Sequence, residues 1–182
     1  MNTANVKNKE NHLPIYGVGP FYGAGIIFLT VIGIFLSCIG VLEFAKFQST
    51  KTPFIVVGIL IFFGGFLVWF KAAFRIDRYI EHNELCTDGI YGIVRNPCYS
   101  GIMLMCSGAL LIANNVALLL LPLLYWLAMT ILMKNTEEKW LYQLYGEEYR
   151  EYCRRVNRCI PWFAKKKKIP STAKGVIDMY IK

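Results

Sequence analysis

The polar stretch DGIYGIVRNPCYSG, residues Asp88–Gly101, carries the side chains best suited to binding a ligand. Pro97 is a favourable first residue of a helix, because its missing N–H would have no partner there. The N–H groups that follow it lie at a helix end that favours an anionic group. Tyr91 and Tyr99 have rings that can stack on a flat heterocycle and hydroxyls that can bond a ribose. On composition alone, the stretch also fits a membrane-entry loop with interfacial tyrosines.

Two adjacent carboxylates, Glu137 and Glu138, form a second polar feature directly after an apolar run. Neighbouring residues of a helix lie about 100° apart, so we expect one carboxylate to face the loop and the other to face water. A carboxylate that turns inward near a bilayer needs a cationic partner, which Arg95 or a cationic ligand would supply. The alternative is a solvated helix face with no part in a site.

Four apolar runs must position these groups. Hydrophobic residues make up 55% of the 182-residue chain and charged residues 18%, whereas a soluble domain is about a quarter charged. We therefore predict a single-domain, all-α integral membrane bundle with about four transmembrane helices and a cytoplasmic helical C-terminal cap. The runs are Tyr22–Leu42, Phe54–Phe70, Pro97–Ala113 and Val116–Met133.

The connections between the runs carry further predictions. Only Asn114 and Asn115 separate the last two runs, which indicates a tight helical hairpin. One long bent helix is the alternative, although two asparagines in hydrocarbon would be costly. Pro122 is expected to kink the fourth helix. Phenylalanine recurs at every fourth position from Phe66 to Phe74, so the second helix should continue past the membrane surface.

Basic residues are distributed unevenly around the runs. Two lysines precede the first run, four Lys or Arg lie in the middle loop and twelve follow the fourth run, against only Lys46 and Lys51 on the other side. This asymmetry predicts that both termini are cytoplasmic. It also accounts for the net charge of +8, so we predict no nucleic-acid partner. The compact size and the few spans favour a prokaryotic plasma membrane.

The region after the fourth run is predicted to form two helices that meet at Gly146, a residue suited to a left-handed helix end. The second of these helices, Glu147–Val156, is amphipathic, and Pro161 stops it. Its inward face carries Tyr149, Tyr152 and Val156. The aromatic and basic residues from Trp162 to Lys168 are typical of an anchor on anionic lipid.

Cysteine and histidine show no spacing typical of a metal site. None of the six cysteines forms a C-x-x-C pair, and His12 and His82 lie far apart. We therefore predict no metal ion and six reduced thiols.

The pairing of GIYGIVRNPCYSG with EEKWLYQLYGEEYREYCRRVNRCIP resembles the isoprenylcysteine carboxyl methyltransferase family and its prokaryotic relatives, which are related to phospholipid methyltransferases. The family pattern is approximately G-x-Y-x-x-x-R-H-P-x-Y-x-G, a helical hairpin, and E-E-x-x-L-x-x-x-x-G-x-x-Y-x-x-Y with a terminal proline. The resemblance covers residues 83–161. Matching residues are Gly89, Tyr91, Arg95, Pro97, Tyr99, Gly101, Glu137, Glu138, Leu141, Gly146, Tyr149, Tyr152 and Pro161.

The resemblance implies a membrane enzyme that uses S-adenosyl-L-methionine (SAM) and whose C-terminal region folds back to close the cofactor pocket. The catalytic region would occupy residues 71–161, after an N-terminal segment (1–21) and two helices (22–70) and before a basic tail (162–182). Catalytic roles are predicted for Arg95 and Glu137. The cofactor-binding residues implied by the family are Asn83, Glu84, Leu85, Cys86, Tyr91, Asn96, Pro97, Cys98, Tyr99 and Glu137.

Two positions depart from the family. Asn96 replaces the usual histidine, and asparagine can exchange hydrogen bonds but cannot take a proton at neutral pH. We therefore expect Asn96 to hold the cofactor without acid–base duty. Met133, followed by Lys134, replaces an arginine that is associated with substrate in the eukaryotic enzymes.

The implied reaction is one in-line displacement at the sulfonium methyl, for which the protein mainly supplies alignment. A carboxylate or thiolate acceptor needs no general base at neutral pH, which favours a lipophilic small molecule or a prenylated substrate that enters from the bilayer. A phospholipid N-methyltransferase is the alternative with the same chemistry. An NADPH-dependent membrane reductase shares a related C-terminal pattern but has more spans, and a non-enzymatic membrane adaptor is a further alternative.

Overall fold

The computed structural model describes residues 17–46, 51–82 and 84–161. Over these ranges the chain is helical, with two isolated bridges and no β-strand, which confirms the all-α prediction. The helices are α1 (Gly19–Cys38), α2 (Lys51–His82), α3 (Pro97–Ile112), α4 (Leu120–Asn135) and α5 (Glu137–Arg155). Short 3-10 turns occupy Glu43–Ala45, Gly89–Gly92 and Val116–Leu119.

Three stretches of helix are long and apolar enough to cross a membrane, namely Gly19–Cys38, Lys51–Ile76 and Val116–Asn135. Large apolar side chains such as Phe28, Leu60 and Leu123 are exposed along them, as lipid-facing residues would be. The chain is therefore an integral membrane protein. The third predicted run forms the 16-residue helix α3, which at about 1.5 Å per residue is shorter than the usual span.

Two helix ends differ from the predictions. The first run was expected to be helical over Tyr22–Leu42, but α1 begins three residues earlier, at Gly19. It ends at Cys38 because Gly40 turns the chain with a φ of 88°. Pro122 does not kink the middle of a helix; it lies in the first turn of α4, directly after a 3-10 turn. The second helix does continue well beyond its apolar run, as predicted, and reaches 32 residues.

Helices α2 and α3 form the most extensive helix pair of the fold. Their backbones approach closely at Gly58 against Gly108 and at Gly65 against Gly101. A Cβ atom on Gly65 would lie only 2.7 Å from the Gly101 carbonyl oxygen, and one on Gly58 only 2.8 Å from that of Gly108. Small residues spaced seven apart on both helices therefore set this antiparallel packing, since helices in lipid associate through close van der Waals contact.

The α3–α4 connection is a tight turn, which excludes the single bent helix. Asn114 adopts a φ of 53°, a conformation that asparagine tolerates better than most residues. The Asn115 Oδ1 atom accepts the Ala117 N–H at 3.1 Å. Its Nδ2 atom donates to Ser37 Oγ at 3.1 Å and to the Leu42 carbonyl at 2.9 Å. The cost of placing Asn115 here is offset because its polar atoms find partners.

Helix α5 bends at Gly146, whose φ of 53° confirms the predicted helix break. After the bend, Tyr149, Tyr152 and Val156 form a buried cluster, as their shared face predicts. The proposed lipid anchor, Trp162–Lys168, lies outside the described residues. The polar features therefore gather where α1, α3 and α5 begin, close to the cytoplasmic end predicted from charge.

Candidate active site

The loop before α3 is fixed against α2. The Arg75 guanidinium forms an ion pair with Asp88, and Gly89 adopts a φ of 55° directly beside that guanidinium. Tyr91 is buried and packs with Cys86 against α2. Positive φ is unfavourable for residues other than glycine, so Gly89 permits the turn that delivers Tyr91 to the interior.

The C-terminal region folds back across this loop, as predicted. A backbone bridge joins Val94 to Asn157. The bridge includes the bond from the Arg95 N–H to the Asn157 carbonyl (2.8 Å). Three further hydrogen bonds add to it: Asn96 Nδ2 to the Arg158 carbonyl (3.1 Å), Ser100 Oγ to the Cys159 carbonyl (2.5 Å) and the Tyr152 hydroxyl to the Tyr91 carbonyl (2.6 Å). Backbone acceptors of the C-terminal region are thus paired one after another with donors of the loop and of α3.

Asn96 has a structural partner in this arrangement. It occupies the N-cap position of α3, yet its side chain caps no helix N–H and instead donates to the Arg158 carbonyl. The residue is buried, so the bond replaces water that the amide has lost. A neutral histidine also carries one N–H donor and could make the same contact.

Glu138 is the partner of two arginines. Its Oε1 atom lies 3.1 Å from an Arg95 terminal nitrogen and 2.5 Å from Arg158 Nε, and its Oε2 atom lies 2.8 Å from an Arg158 terminal nitrogen. The Arg95 side chain is 9% exposed and also donates to Cys153 Sγ at 2.6 Å. Two guanidinium groups share one carboxylate, which leaves one positive charge in excess in a poorly solvated site.

Glu137 points inward as well, so the expectation that one carboxylate faces water is wrong. The Glu137 Oε1 atom accepts the Tyr99 hydroxyl at 2.7 Å and the Val18 backbone N–H at 3.1 Å. Within the described residues it forms no ion pair, and Arg95 binds Glu138 instead. Burial raises the pKa of Glu137, and the hydrogen bonds from Tyr99 and Val18 partly oppose that rise. Both carboxylates turn inward because elements pack on both sides of the first turn of α5.

The predicted cofactor residues fall into neighbouring groups. Cys86, Tyr91 and Cys98 pack together against α2, with the Tyr91 hydroxyl 3.9 Å from Cys98 Sγ. Leu85 packs against the tyrosine cluster of α5, while Glu84 is exposed. Pro97 begins α3, so its first turn links Cys98 on one side to Tyr99 and Glu137 on the other. Asn83 lies outside the described residues.

Cys86 is a neutral thiol. Burial, followed by the nearby Asp88 carboxylate, raises the pKa of Cys86 to about 11. It is therefore protonated at neutral pH and unsuited to act as a nucleophile. None of the six cysteines, all within the described residues, forms a disulfide.

Three buried donors near the tyrosine cluster lack a hydrogen-bond partner among the described residues. They are Arg95 Nε, the Tyr145 hydroxyl and Arg155 Nε. Buried polar groups are rarely left unpaired, because each such group loses its bonds to water. Water or a bound ligand with acceptor atoms would complete their bonding.

An apolar groove of about 420 Å³ lies between α1 and α2, with α3 as its floor. Its lining includes Ile27, Val31, Phe66, Trp69, Ile102 and Ala109. Ile102 is one helical turn from Tyr99, so one end of the groove comes close to the Glu137–Tyr99 pair. Ile27, Val31 and Phe66 of this lining are exposed apolar side chains, as lipid-facing residues would be.

Sequence reasoning missed several residues of this site. The Val18 N–H and the backbone acceptors at 157–159 leave no trace in residue type, because any residue but proline offers them. Arg158 pairs with Glu138 across the fold, a partnership that no helical spacing predicts. The glycines on both sides of Val18 were the one available signal, since glycine pairs often mark a close approach.

Sequence comparison with known proteins shows which family the chain resembles. The phospholipid methyltransferase profile matches residues 53–148, more than half of the chain. The matched region contains α2, the loop, the α3–α4 hairpin and the start of α5.

Curated relatives match a similar share of the chain. Protein-S-isoprenylcysteine O-methyltransferase B of Arabidopsis thaliana is 31% identical over 83 residues, which are 45% of this chain and 42% of the relative. The Schizosaccharomyces pombe enzyme of that name is 37% identical over 78 residues, 42% of this chain and 33% of the relative. Enzyme A of Arabidopsis thaliana is 29% identical over 86 residues, 47% and 43% of the two chains. The alignments thus span less than half of each of these relatives.

Proposed function

Because the chain belongs to the family of isoprenylcysteine carboxyl and phospholipid methyltransferases, we propose that it transfers a methyl group from SAM to a lipophilic acceptor. The site lies on the cytoplasmic side of the membrane in this proposal, since the basic residues cluster at that end. The acceptor group is a carboxylate or a thiol.

The observation on which the proposal rests is the set of hydrogen-bond partners of the Glu137 carboxylate. A buried carboxylate in a membrane protein usually has a cationic partner, yet Glu137 contacts only the neutral donors of Tyr99 and Val18 in the described part of the chain. Both of these bonds converge on Oε1, so Oε2 is the oxygen left for a cation. SAM carries two cationic groups, an ammonium and a sulfonium, and either would complete this carboxylate.

Residues of the loop and of the buried tyrosine cluster also fit SAM. Its carboxylate and ribose oxygens are acceptors, which the unpaired buried donors on Arg95, Tyr145 and Arg155 require. Leu85 and Tyr91 offer apolar and aromatic surface to a purine ring. When bound, SAM supplies an electrophilic methyl group whose bond to sulfur breaks as the acceptor forms its own bond to carbon, leaving a neutral thioether.

The chain's own residues would then hold the reactants and exclude water. The hydrogen bonds between the loop and residues 157–159 close the site from the cytoplasm, so the reactants are held at fixed distance with little competing solvent. Arg95, Arg158, Glu137 and Glu138 together carry no net charge, so the net positive charge of SAM itself favours an acceptor that arrives as an anion. A carboxylate or thiolate meets that condition without a general base.

The apolar groove supplies the place for the acceptor's lipid chain. It is lined by side chains of α1, α2 and α3, opens toward the bilayer and ends near Tyr99. An acyl or isoprenoid chain in the groove would bring its polar head beside the Glu137–Tyr99 pair. The hydrophobic lining therefore supports a lipophilic substrate rather than a soluble one.

A phospholipid amine is the second candidate acceptor, and Met133 favours it over a prenylcysteine. Met133 is fully buried in the core, so the position of the substrate-associated arginine in eukaryotic relatives offers no charge here. An amine must lose its proton before attack, however, whereas a carboxylate or a thiolate arrives already able to attack. Headgroup analysis of the methylated product separates the two acceptors.

Methyl transfer can be tested with purified protein in lipid nanodiscs, SAM labelled in its methyl group and a total membrane lipid extract. We expect label to enter the lipid phase with wild-type protein and to fall sharply with Glu137→Gln. Glu147→Gln changes an exposed carboxylate of the same helix and is the matched control.

Thermal unfolding in the presence of SAM or NADPH tests the reductase alternative, because a bound ligand stabilises the fold. Stabilisation by SAM alone supports the methyltransferase. The absence of label in every acceptor, together with stabilisation by NADPH alone, would contradict it.

A further inference from the structure

The residues before α1 lie directly on the proposed active site. The Val18 N–H donates to Glu137 Oε1 at 3.1 Å, across 119 residues of sequence. A side chain on Gly17 would overlap the Glu137 carboxylate, and one on Gly19 would overlap the Tyr99 ring. Residues Gly17–Gly19, which we name the N-terminal strap, are thus fitted to these two side chains.

We propose that the N-terminal strap is a positioning element of the site, in which the Val18 N–H holds Glu137 Oε1 so that Oε2 faces the cationic ligand. This inference rests on the proposed function. It adds a residue outside both the region of family resemblance and the matched profile, which begins at residue 53.

A backbone donor suits this task better than a basic side chain. An arginine or lysine side chain placed beside Glu137 would form an ion pair with its carboxylate and compete with a cationic ligand for it. A neutral N–H fixes the oxygen and stabilises its ionised form without adding a competing charge. The Tyr99 hydroxyl does the same from α3, so two neutral donors from different elements define the orientation of Glu137.

No charged side chain faces Glu137 from the elements packed on it, within the part of the chain that the structure describes. The strap contributes a backbone N–H, and α3 contributes Tyr99 as the titratable group. The adjacent carboxylate on α5, Glu138, is held by Arg95 and Arg158. A change at Val18 therefore reaches Glu137 directly rather than through another ion pair.

Val18→Pro removes the donor and places the ring Cδ where the N–H pointed, so Glu137 Oε1 loses its bond and must also move away. The φ of Val18 is −75°, within the range of proline, and the N–H of this residue donates to Glu137. The carbonyl of Val18, which accepts the Tyr22 N–H, is retained. Val18→Ala trims the side chain but keeps the N–H and is the matched comparison.

The direct readout is the protonation of Glu137 in ligand-free protein, followed by infrared spectroscopy of its carboxyl stretch and assigned by its loss in Glu137→Gln. We expect the midpoint to move to higher pH in Val18→Pro than in Val18→Ala, because a donor to the ionised form has been lost. SAM affinity should fall about tenfold or more in the proline variant relative to the alanine variant.

If the proline variant does not fold, a second pair of variants tests whether the N-terminal strap positions Glu137. Gly17→Ala pushes a methyl group onto the Glu137 carboxylate, whereas Gly25→Ala adds the same group to α1 in open space. We expect Gly17→Ala to shift the infrared midpoint and weaken SAM binding, with Gly25→Ala unchanged from wild type.

Equal midpoints and equal affinities within each pair would overturn the role of the strap. That result is distinct from failure of the proposed function, in which wild-type protein itself would not bind SAM. The infrared midpoint reports on the strap in either case, since it needs no ligand.

Discussion

At the scale of single residues, two adjacent carboxylates have different partners because different elements pack on each. Glu138 neutralises one of two arginines, while Glu137 receives only neutral hydrogen bonds from the residues that the structure describes. The sequence places the two side by side, and helical geometry predicts that they diverge. Their partners come from residues 18, 95, 99 and 158, which only the tertiary fold brings together.

The pH dependence of SAM affinity follows from Glu137. Burial raises the pKa of this carboxyl above its ordinary value, so protonation begins at a higher pH than for an exposed glutamate. The ionised form is the one that attracts a cation. We therefore expect the affinity to be full at pH values above the raised pKa and to weaken as the pH falls through it, as measured by calorimetric titration. An affinity that does not change over the acidic range would contradict this role.

Asn96→Asp tests the hydrogen bond that joins the loop to the C-terminal region. Aspartate cannot donate to the Arg158 carbonyl, and its charge would lie against that oxygen. We expect the free energy of unfolding to fall by about 1–3 kcal/mol and proteolysis after the fourth helix to become faster. The exposed Asn157→Asp introduces the same charge outside the core and serves as the control. Equal stability of the two variants would contradict a stabilising role of the Asn96–Arg158 hydrogen bond.

At the scale of helices, the sequence was sufficient for most of the secondary structure. Long apolar runs predicted all four core helices, and Gly146 marked the bend in α5. The end of α1 was placed too late, because hydrophobicity continues past Gly40 while the backbone turns there. Hydropathy detects burial in lipid, whereas helix ends depend on local φ and ψ.

Close packing of α2 and α3 is the element-scale feature that hydropathy could not predict. Gly64 and Gly65 are identical neighbours in the sequence, yet a Cβ on Gly65 would meet α3 and one on Gly64 would meet open space. Gly65→Ala should therefore lower the free energy of unfolding by about 1–3 kcal/mol, the usual cost of overpacking. Gly64→Ala should leave it unchanged in the same detergent-unfolding assay. Equal effects of the two substitutions would contradict the helix register.

At the scale of the whole molecule, one end of the bundle collects the polar groups while the groove beside it faces lipid. The family resemblance predicted the loop and the C-terminal region as halves of one site, and the structure brings them into contact. Residue spacing alone could not choose between Glu137 and Glu138 as the partner of Arg95. It also could not identify the N-terminal strap, because a backbone donor does not depend on residue type.

If the groove binds the acceptor's lipid chain, a substitution in the groove should weaken acceptor binding and leave SAM binding unchanged. Ala109→Phe would fill part of the apolar groove without touching the Glu137 end. We expect a higher KM for the lipid acceptor with an unchanged dissociation constant for SAM. Ala128→Phe adds the same ring to an exposed position of α4 and is the control. An unchanged KM in the groove variant would place the acceptor chain elsewhere.

The binding of SAM by the Glu137 carboxylate is tested most directly by calorimetry in nanodiscs. The measured quantity is the dissociation constant of SAM for the wild-type protein and for Glu137→Gln. Glutamine keeps the size of the side chain but removes the charge that the cationic cofactor requires. We expect measurable binding to wild type, a loss of about tenfold to a hundredfold in Glu137→Gln, and little change in Glu147→Gln. Equal affinities of wild type and Glu137→Gln, or no binding of SAM to wild type, would contradict it.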